Sequence, residues 1–174
     1  MTLASIHPLS ADTRRATSLL FVCMGNICRS PLAEGIFAHL VNENKSTSRY
    51  HLDSAGVGDW HAGQAADPRS LAVAKKHGIN LTCRARQVVS EDFGTFDWIL
   101  AMDKQNRRDL LSLASEGHAG KIRLMREFDS EGGNGAEVPD PYYGGPQGFD
   151  RVFAMLHRSC IRLYALLEQG GGRL

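Results

Sequence analysis

The chain has 174 residues, including four cysteines; 43% of its residues are hydrophobic, 22% are charged, and its formal net charge is +1. This length and composition predict one globular domain at 17–170, preceded by a loosely ordered extension at 1–16. The near-neutral charge argues against nucleic acid or an anionic membrane as a partner. Four cysteines without a C-x-x-C pair argue against a disulfide scaffold and a zinc site, and they favour the reducing cytoplasm.

The first predicted element is a buried strand that ends at Cys23, within the stretch LLFVCMGNICRSP at 19–31. A short loop follows, and Ser30 is predicted to be the N-cap of an amphipathic helix. A loop wrapped around a helix N-terminus presents backbone N–H groups and a positive dipole end to an anion. The stretch therefore predicts an anion-binding turn that begins at Cys23 and ends at Arg29.

The remaining predicted elements alternate between strands and helices. Strands are predicted at 51–57, 96–101 and 121–125, helices at 67–78, from an N-cap at Asp103 and at 149–169, and a long loop at 131–148. Alternation of this kind predicts an α/β fold, here a three-layer α/β/α sandwich with a central parallel sheet of about four strands, Rossmann-like or flavodoxin-like. Ligands of such sheets bind beyond the carboxyl ends of the strands, where the loop after Cys23 falls.

The residue types at the two ends of this loop indicate its chemistry. A thiol is a nucleophile only as its thiolate, and a helix N-terminus and a neighbouring cation both favour that form. Cys23 would have both. The planar guanidinium of Arg29 can hold two oxygens of a tetrahedral oxyanion at once, and loop N–H groups can bind the third. The pair predicts a phosphate site with a nucleophile at its base that requires neither a metal nor a cofactor.

Several motifs, in order along the chain, resemble those of the low-molecular-weight protein tyrosine phosphatases. They are VCMGNICRSPLAE at 22–34, DSAGVGDWHAGQAADPR at 53–69, HGI at 77–79, ARQ at 85–87, FDWILAMD at 96–103 and VPDPYYGG at 138–145. The resemblance spans about residues 17–168. It implies an enzyme, a monomer or weak dimer, that hydrolyses tyrosine-phosphorylated proteins or small aryl phosphates and is inhibited by phosphate or vanadate.

The resemblance also implies catalytic roles for three side chains. Cys23 would attack phosphorus and form a cysteinyl-phosphate, while Arg29 would bind the phosphoryl oxygens and stabilise the transition state. Asp140 matches the family's general acid. A phenol leaves poorly as its anion, so a positioned acid is worth about 10² to 10⁴ in rate. Because Asp140 precedes Pro141, a helical conformation is disfavoured there, and we expect its carboxylate to reach the site from a loop.

Further roles follow from the same resemblance. Ser30 would hydrogen-bond the Cys23 sulfur and ease its departure from phosphorus. The other implied positions are Met24, Gly25, Asn26, Ile27 and Cys28 in the phosphate-binding loop, Ser54 and His77 as supports that fix the loop together with Asn26, and Trp60, Tyr142 and Tyr143 as aromatic walls of the substrate cleft.

Two loop residues leave questions open. Ile27 occupies the position where the family's arginine phosphatases carry threonine, and isoleucine favours phosphotyrosine. Cys28 is either a redox partner that traps oxidised Cys23 as a disulfide or a small packing residue. Of the other cysteines, Cys160 is predicted to lie in the core and Cys83 to be structural. We assign no role to His39, His61, His118 and His157.

Alternative functions also stay open from the sequence. An arsenate reductase on the same fold would need two neighbouring downstream cysteines, whereas only the isolated Cys83 and Cys160 follow Cys28. A protein arginine phosphatase is the alternative tied to Ile27. A non-catalytic phosphoprotein-binding module is expected to have lost the thiol, the arginine or the acid, and this chain retains all three.

Overall fold

The computed structural model describes residues 15–145 and 147–170. Within these ranges the strands are β1 (Thr17–Cys23), β2 (Tyr50–Gly56), β3 (Trp98–Ala101) and β4 (Ile122–Leu124), and the α-helices are α1 (Arg29–Glu43), α2 (Pro68–Lys76), α3 (Asp92–Thr95), α4 (Lys104–Leu113) and α5 (Gln147–Gly170). Short 3-10 turns cover Thr47–Arg49, Ala119–Lys121 and Met125–Phe128. The strands form one parallel sheet in the order β2-β1-β3-β4, as predicted.

Strand β1 divides the core between the two faces of the sheet, because successive side chains of a strand point in opposite directions. Leu19 and Phe21 join the apolar cluster formed with α1, α2 and α5. Leu20 and Val22 join a second cluster with α3 and α4. All four side chains are fully buried. The predicted three-layer α/β/α sandwich is confirmed.

The start of α1 differs from the prediction. The helix begins at Arg29, its N-cap is Cys28, and the N-cap side chain makes no capping hydrogen bond. Ser30 lies inside the first turn and is fully buried, so its hydroxyl has to find partners in the interior. It lies against the Cys23 sulfur and donates to the Ala55 carbonyl instead of capping the helix. The prediction of Ser30 as N-cap is wrong.

Other predicted boundaries are confirmed. Asp67 caps α2 by accepting a hydrogen bond from the Arg69 amide, and Asp103 caps α4 by accepting one from the Asn106 amide. Gly78, at φ 73°, follows the end of α2, and residues 131–145 form the predicted long loop. The four-residue helix α3 lies where the apolar residues of the sequence show no clear helical or strand periodicity. Of the predicted extension, residues 1–14 lie outside the described residues, while Arg15 pairs with Asp97.

The order of the strands determines where loops meet. The chain leaves β1 toward β2 on one side, while β3 flanks β1 on the other, so the connections diverge at the carboxyl end of β1. Cys23 ends β1 opposite Gly56, the last residue of β2. A crevice at such a switch point is the usual ligand site of an open α/β sheet. In the described part of the chain, no helix is long and apolar enough to cross a membrane.

Candidate active site

The backbone of the loop after β1 is held from outside through its carbonyl groups. The carbonyls of Cys23, Met24 and Ile27 accept hydrogen bonds of 2.8 to 2.9 Å from the amides of Val57, Gly58 and Asp67, respectively. Among the residues the structure describes, no hydrogen bond uses an amide of residues 24–28 as its donor. These amides are therefore available to an anion at the N-terminus of α1.

Asn26 fixes the shape of this loop. It is buried and has a φ of 55°, a left-handed conformation that asparagine tolerates better than most residues. Its side-chain nitrogen donates to Ser30 Oγ at 2.9 Å and to Ser54 Oγ at 3.0 Å. Its side-chain oxygen accepts a hydrogen bond of 2.9 Å from the Arg86 amide. All the hydrogen-bonding capacity of the carboxamide nitrogen is thus used to hold the turn.

Cys23 lies at the base of the loop. Its Sγ is 3.1 Å from Ser30 Oγ, and the residue is 2% exposed although it lines the cleft described below. Asn26 donates to the same Ser30 hydroxyl, which leaves the hydroxyl proton free to point at sulfur or at the Ala55 carbonyl. The structure therefore brings the predicted sulfur and its predicted hydrogen-bond partner together.

Arg29 is 2% exposed and lies among acidic partners. One terminal nitrogen donates to Asp103 Oδ2 at 2.6 Å and to the Val138 carbonyl at 3.1 Å, and the other donates to Asp140 Oδ2 at 3.3 Å. Burial disfavours the charge, but Cys23, Asp140 and Asp103 outweigh it and raise the pKa of Arg29 above its ordinary value. Its buried Nε has no partner among the described residues, which leaves a donor for an oxyanion.

Asp140 reaches the site from the long loop, as predicted. Its Oδ2 accepts from Arg29, and its Oδ1 accepts from the amide of Tyr142, two residues further on, at 3.1 Å. This local turn fixes the carboxylate while 46% of the side chain stays exposed to the cleft. A group with one side on the phosphate site and the other in solvent can exchange protons with both.

Aromatic side chains form the walls of a cleft of about 200 Å³ above Cys23. Trp60 is 66% exposed and Tyr143 is 94% exposed, while Tyr142 and Tyr143 pack edge to face with ring centroids 4.9 Å apart. Exposed aromatic rings around a polar floor are suited to bind a flat apolar group. The other described residues that line this cleft are Met24, Gly25, Ile27, Cys28, Arg29, His61 and Asp140.

Cys28 also lines the cleft and is 4% exposed. Burial, followed by the charges of Asp67, Cys23 and Asp140, raises its pKa to about 12. Cys28 is therefore a protonated thiol at neutral pH, in contrast to what a nucleophile requires.

The placement of His77 in the loop-supporting network is wrong. His77 is the C-cap residue of α2, and its ring stacks on Phe153 of α5 with centroids 3.9 Å apart. Within the described residues, the hydrogen bonds of the Asn26 and Ser54 side chains go to Ser30, Arg86, Glu34 and each other, and none goes to His77. His77 instead shares a separate cavity with His39 and His157.

Cys83 and Glu34 take the place that we assigned to His77. Ser54 Oγ donates to Glu34, and the Cys83 thiol interacts with both the Glu34 carboxyl and the Ser54 hydroxyl. Burial, followed by the charge of Glu34, raises the pKa of Cys83 to about 11. The sequence carried a signal for Glu34, because it lies four residues after Ser30 and hence on the same face of α1.

Three further residues of the site were also missed. His61 lines the cleft beside Trp60, and Asp103, assigned only as an N-cap, contacts Arg29. Arg86 holds the Asn26 side chain through its amide, while its guanidinium binds Asp92 with two hydrogen bonds. The contacts of Arg29 with Asp103 and of Asn26 with Arg86 join residues 74 and 60 positions apart, which no local pattern indicates.

Comparison with known proteins identifies the family. Residues 18–171 match the model of the family described as low molecular weight phosphotyrosine protein phosphatase. The low molecular weight phosphotyrosine protein phosphatase of Sus scrofa is 41% identical over 145 residues, covering 82% of this chain and 90% of that protein. The low molecular weight protein-tyrosine-phosphatase of Streptomyces coelicolor is 43% identical over 156 residues, covering 88% and 95%.

A solved structure agrees with these relatives. A protein tyrosine phosphatase from Entamoeba histolytica, with Hepes in the active site, has a TM-score of 0.85 and 44% identity over 90% of this chain and 99% of that one. The chain therefore belongs to the low-molecular-weight phosphotyrosine protein phosphatase family and is an enzyme of that family.

Proposed function

We propose that the protein hydrolyses phosphotyrosine and related aryl phosphate monoesters through a covalent phosphoryl group on Cys23. The observation that carries the proposal is the convergence of Cys23, Arg29 and Asp140 in one cleft with aromatic walls. A nucleophile, an oxyanion receptor and a proton donor are the groups that this reaction needs. They come from two separate stretches of the chain, the loop between Cys23 and Arg29 and the long loop that carries Asp140.

In the first step, the Cys23 thiolate attacks phosphorus and the bond to the aryl oxygen breaks. Asp140 gives its proton to that oxygen, so the product leaves as a neutral phenol. Arg29 and the free amides of residues 24–28 bind the phosphoryl oxygens, whose charge needs stabilisation in the transition state. The Arg29 contact with Asp140, 3.3 Å long, gives way to the phosphoryl group when substrate binds.

In the second step, the ionised Asp140 takes a proton from water, and the resulting nucleophile attacks the cysteinyl-phosphate. The sulfur–phosphorus bond breaks, inorganic phosphate leaves, and Cys23 returns as a thiolate. The Ser30 hydroxyl, 3.1 Å from Sγ, donates a hydrogen bond to the departing sulfur. Cys23 thus carries the phosphoryl group, and Asp140 donates and accepts the protons of both steps. We therefore expect the activity to survive a chelator.

The walls of the cleft support a preference for aromatic phosphoesters. A phosphotyrosine ring can lie between Trp60 and Tyr142, whereas the shorter phosphoserine would leave those rings without contact. Ile27, 8% exposed at the cleft, offers no polar group to a guanidinium, which favours phosphotyrosine over phosphoarginine. We also propose a reducing compartment such as the cytoplasm, because the reaction needs Cys23 as a free thiolate.

A comparison of substrates tests this proposal. Phosphotyrosine, phosphoserine and phosphoarginine peptides of one sequence are turned over by the same enzyme preparation, with arsenate reduction measured in parallel. We expect phosphotyrosine to be hydrolysed fastest and vanadate to inhibit competitively as a transition-state mimic. Faster turnover of phosphoarginine or of arsenate would overturn the proposal. Binding of phosphotyrosine without turnover would favour a phosphoprotein-binding module.

A further inference from the structure

A continuous path of hydrogen bonds joins the phosphate loop to the loop that carries Asp140. The Ile27 carbonyl accepts from the Asp67 amide at 2.8 Å, and the Asp67 carboxylate binds Arg69. Arg69 donates in turn to the Tyr142 carbonyl at 3.0 Å, and the Tyr142 amide donates to Asp140 Oδ1 at 3.1 Å. We refer to the central pair, Asp67 with Arg69, as the Asp67–Arg69 link.

The Asp67–Arg69 link is firmly held at its Asp67 end. Oδ1 of Asp67 accepts from the Arg69 amide at 2.8 Å and from its Nε at 2.9 Å, while Oδ2 accepts from a terminal nitrogen at 2.8 Å. These hydrogen bonds lower the pKa of Asp67 below its ordinary value, and the residue is 8% exposed. The carboxylate therefore stays charged at the mildly acidic pH at which an aryl phosphatase is assayed.

Arg69 is also held by two aromatic rings. Its guanidinium carbon lies 5.2 Å from the ring centroid of Tyr142 and 4.6 Å from that of Phe149 at the start of α5. Cation–π contacts of this kind favour a guanidinium over an ammonium. Arg69 is not among the described residues that line the cleft, so it acts on the chemistry through the residues it binds, Asp67 on one side and Tyr142 on the other.

We propose that Arg69 is a positioning residue that sets the distance between the Asp140 carboxylate and the phosphate loop. This inference rests on the proposed function, in which Asp140 protonates the leaving oxygen. Arg69 is suited to this role because its guanidinium donates two N–H groups to the Asp67 carboxylate and a third to the Tyr142 carbonyl. A lysine at this position could not make all of these contacts.

The dependence of rate on the leaving group distinguishes positioning of an acid from a general structural role. Phenyl phosphate needs the acid, whereas p-nitrophenyl phosphate has a better leaving group and needs it less. A small displacement of a catalytic group can reduce the rate greatly. We therefore expect Arg69→Ala to lower kcat/KM, which covers the steps up to departure of the phenol, about tenfold on phenyl phosphate but under about threefold on p-nitrophenyl phosphate. Arg69→Lys should fall between the wild type and Arg69→Ala.

A double-mutant cycle completes the test. If Arg69 acts through Asp140, adding Arg69→Ala to Asp140→Asn should cause no further loss on either substrate. Lys76→Ala is the matched control, because Lys76 lies on the same helix and pairs with Asp150 at 3.1 Å without touching the path to Asp140. We expect it to match the wild type on both substrates. Should Arg69→Ala fail to fold, Arg69→Gln is used in the same comparison.

The outcomes separate the two proposals. Equal loss on both substrates for Arg69→Ala, or the same loss in the Asp140→Asn background, would overturn the role of Arg69 alone. Equal loss of kcat/KM on both substrates for Asp140→Asn would overturn the assignment of the acid, and the role of Arg69 would fall with it.

Discussion

Arg29 and Asp103 are joined by a short hydrogen bond at the phosphate site, with 2.6 Å between a guanidinium nitrogen and Oδ2. The other oxygen of the same carboxylate accepts from the Asn106 amide at 2.7 Å, at the start of α4. One side chain thus caps a helix and orients the buried arginine. As a result, the rigid start of α4 becomes the support of Arg29.

Replacing Asp103 by asparagine separates these two roles. Asparagine caps helices as well as aspartate does, but it cannot make the charge-assisted bond to Arg29. We expect Asp103→Asn to keep the cap of α4, while loss of the charged bond to Arg29 lowers kcat/KM on p-nitrophenyl phosphate about tenfold and also lowers the Tm, because a hydrogen bond to a charged group contributes about 1.5 to 3 kcal/mol to stability. If the Tm fell while kcat/KM stayed unchanged, Asp103 would cap α4 but would have no role in orienting Arg29.

Substitutions of Asn26 test whether its backbone conformation or its side-chain hydrogen bonds shape the loop. Asn26→Gly keeps the left-handed conformation and removes the hydrogen bonds, whereas Asn26→Ala loses both and should cost about 1 to 2 kcal/mol more. Urea unfolding should therefore rank the wild type above Asn26→Gly and that variant above Asn26→Ala. If Asn26→Gly equalled the wild type in stability and kcat, the contacts with Ser30 and Ser54 would have no role.

The carboxyl of Glu34 predicts a dependence of stability on pH. Burial raises the pKa of Glu34 above its ordinary value of 4.5, so the folded state favours the neutral form. The neutral Glu34 carboxyl contributes its full stability at a pH below the pKa that Glu34 has in the unfolded chain. That stability is lost as the pH rises through the higher pKa that Glu34 has in the folded state. The amide of Glu34→Gln does not titrate. The Tm of this variant relative to the wild type should therefore increase between about pH 4 and pH 7. A constant difference would show that Glu34 is not perturbed by folding.

Elements with a local signature could be predicted from the sequence. The buried strand that ends at Cys23, the helix that starts at Asp67 and the N-cap Asp103 depend on neighbouring residues, and each is confirmed. Ser30 has a typical N-cap residue type, but its hydroxyl is buried, and the tertiary contact with Cys23 overrides the local preference. Local propensity therefore predicted the elements but not the use of every polar side chain.

Contacts across the chain could not be predicted in this way. Arg29 contacts Asp103, which is 74 positions away, and Asp140, which is 111 positions away. Its full set of partners therefore depends on how the loops meet at the edge of the sheet. The error over His77 has the same origin, because a motif gives the order of residues but not the direction of a side chain beyond the end of α2. The structure was needed to show that Cys83, and not His77, lies beside Ser54 and Glu34.

The phosphoryl group on Cys23 is the most direct test of the proposed chemistry. Asp140→Asn slows the attack of water, and p-nitrophenyl phosphate keeps the first step fast, so the intermediate should accumulate in this variant. Acid quenching during turnover, followed by peptide mass spectrometry, should find one phosphoryl group on the peptide that contains Cys23 and none when Cys23→Ser is added. Turnover without that modification, or turnover retained by Cys23→Ser, would contradict the covalent mechanism.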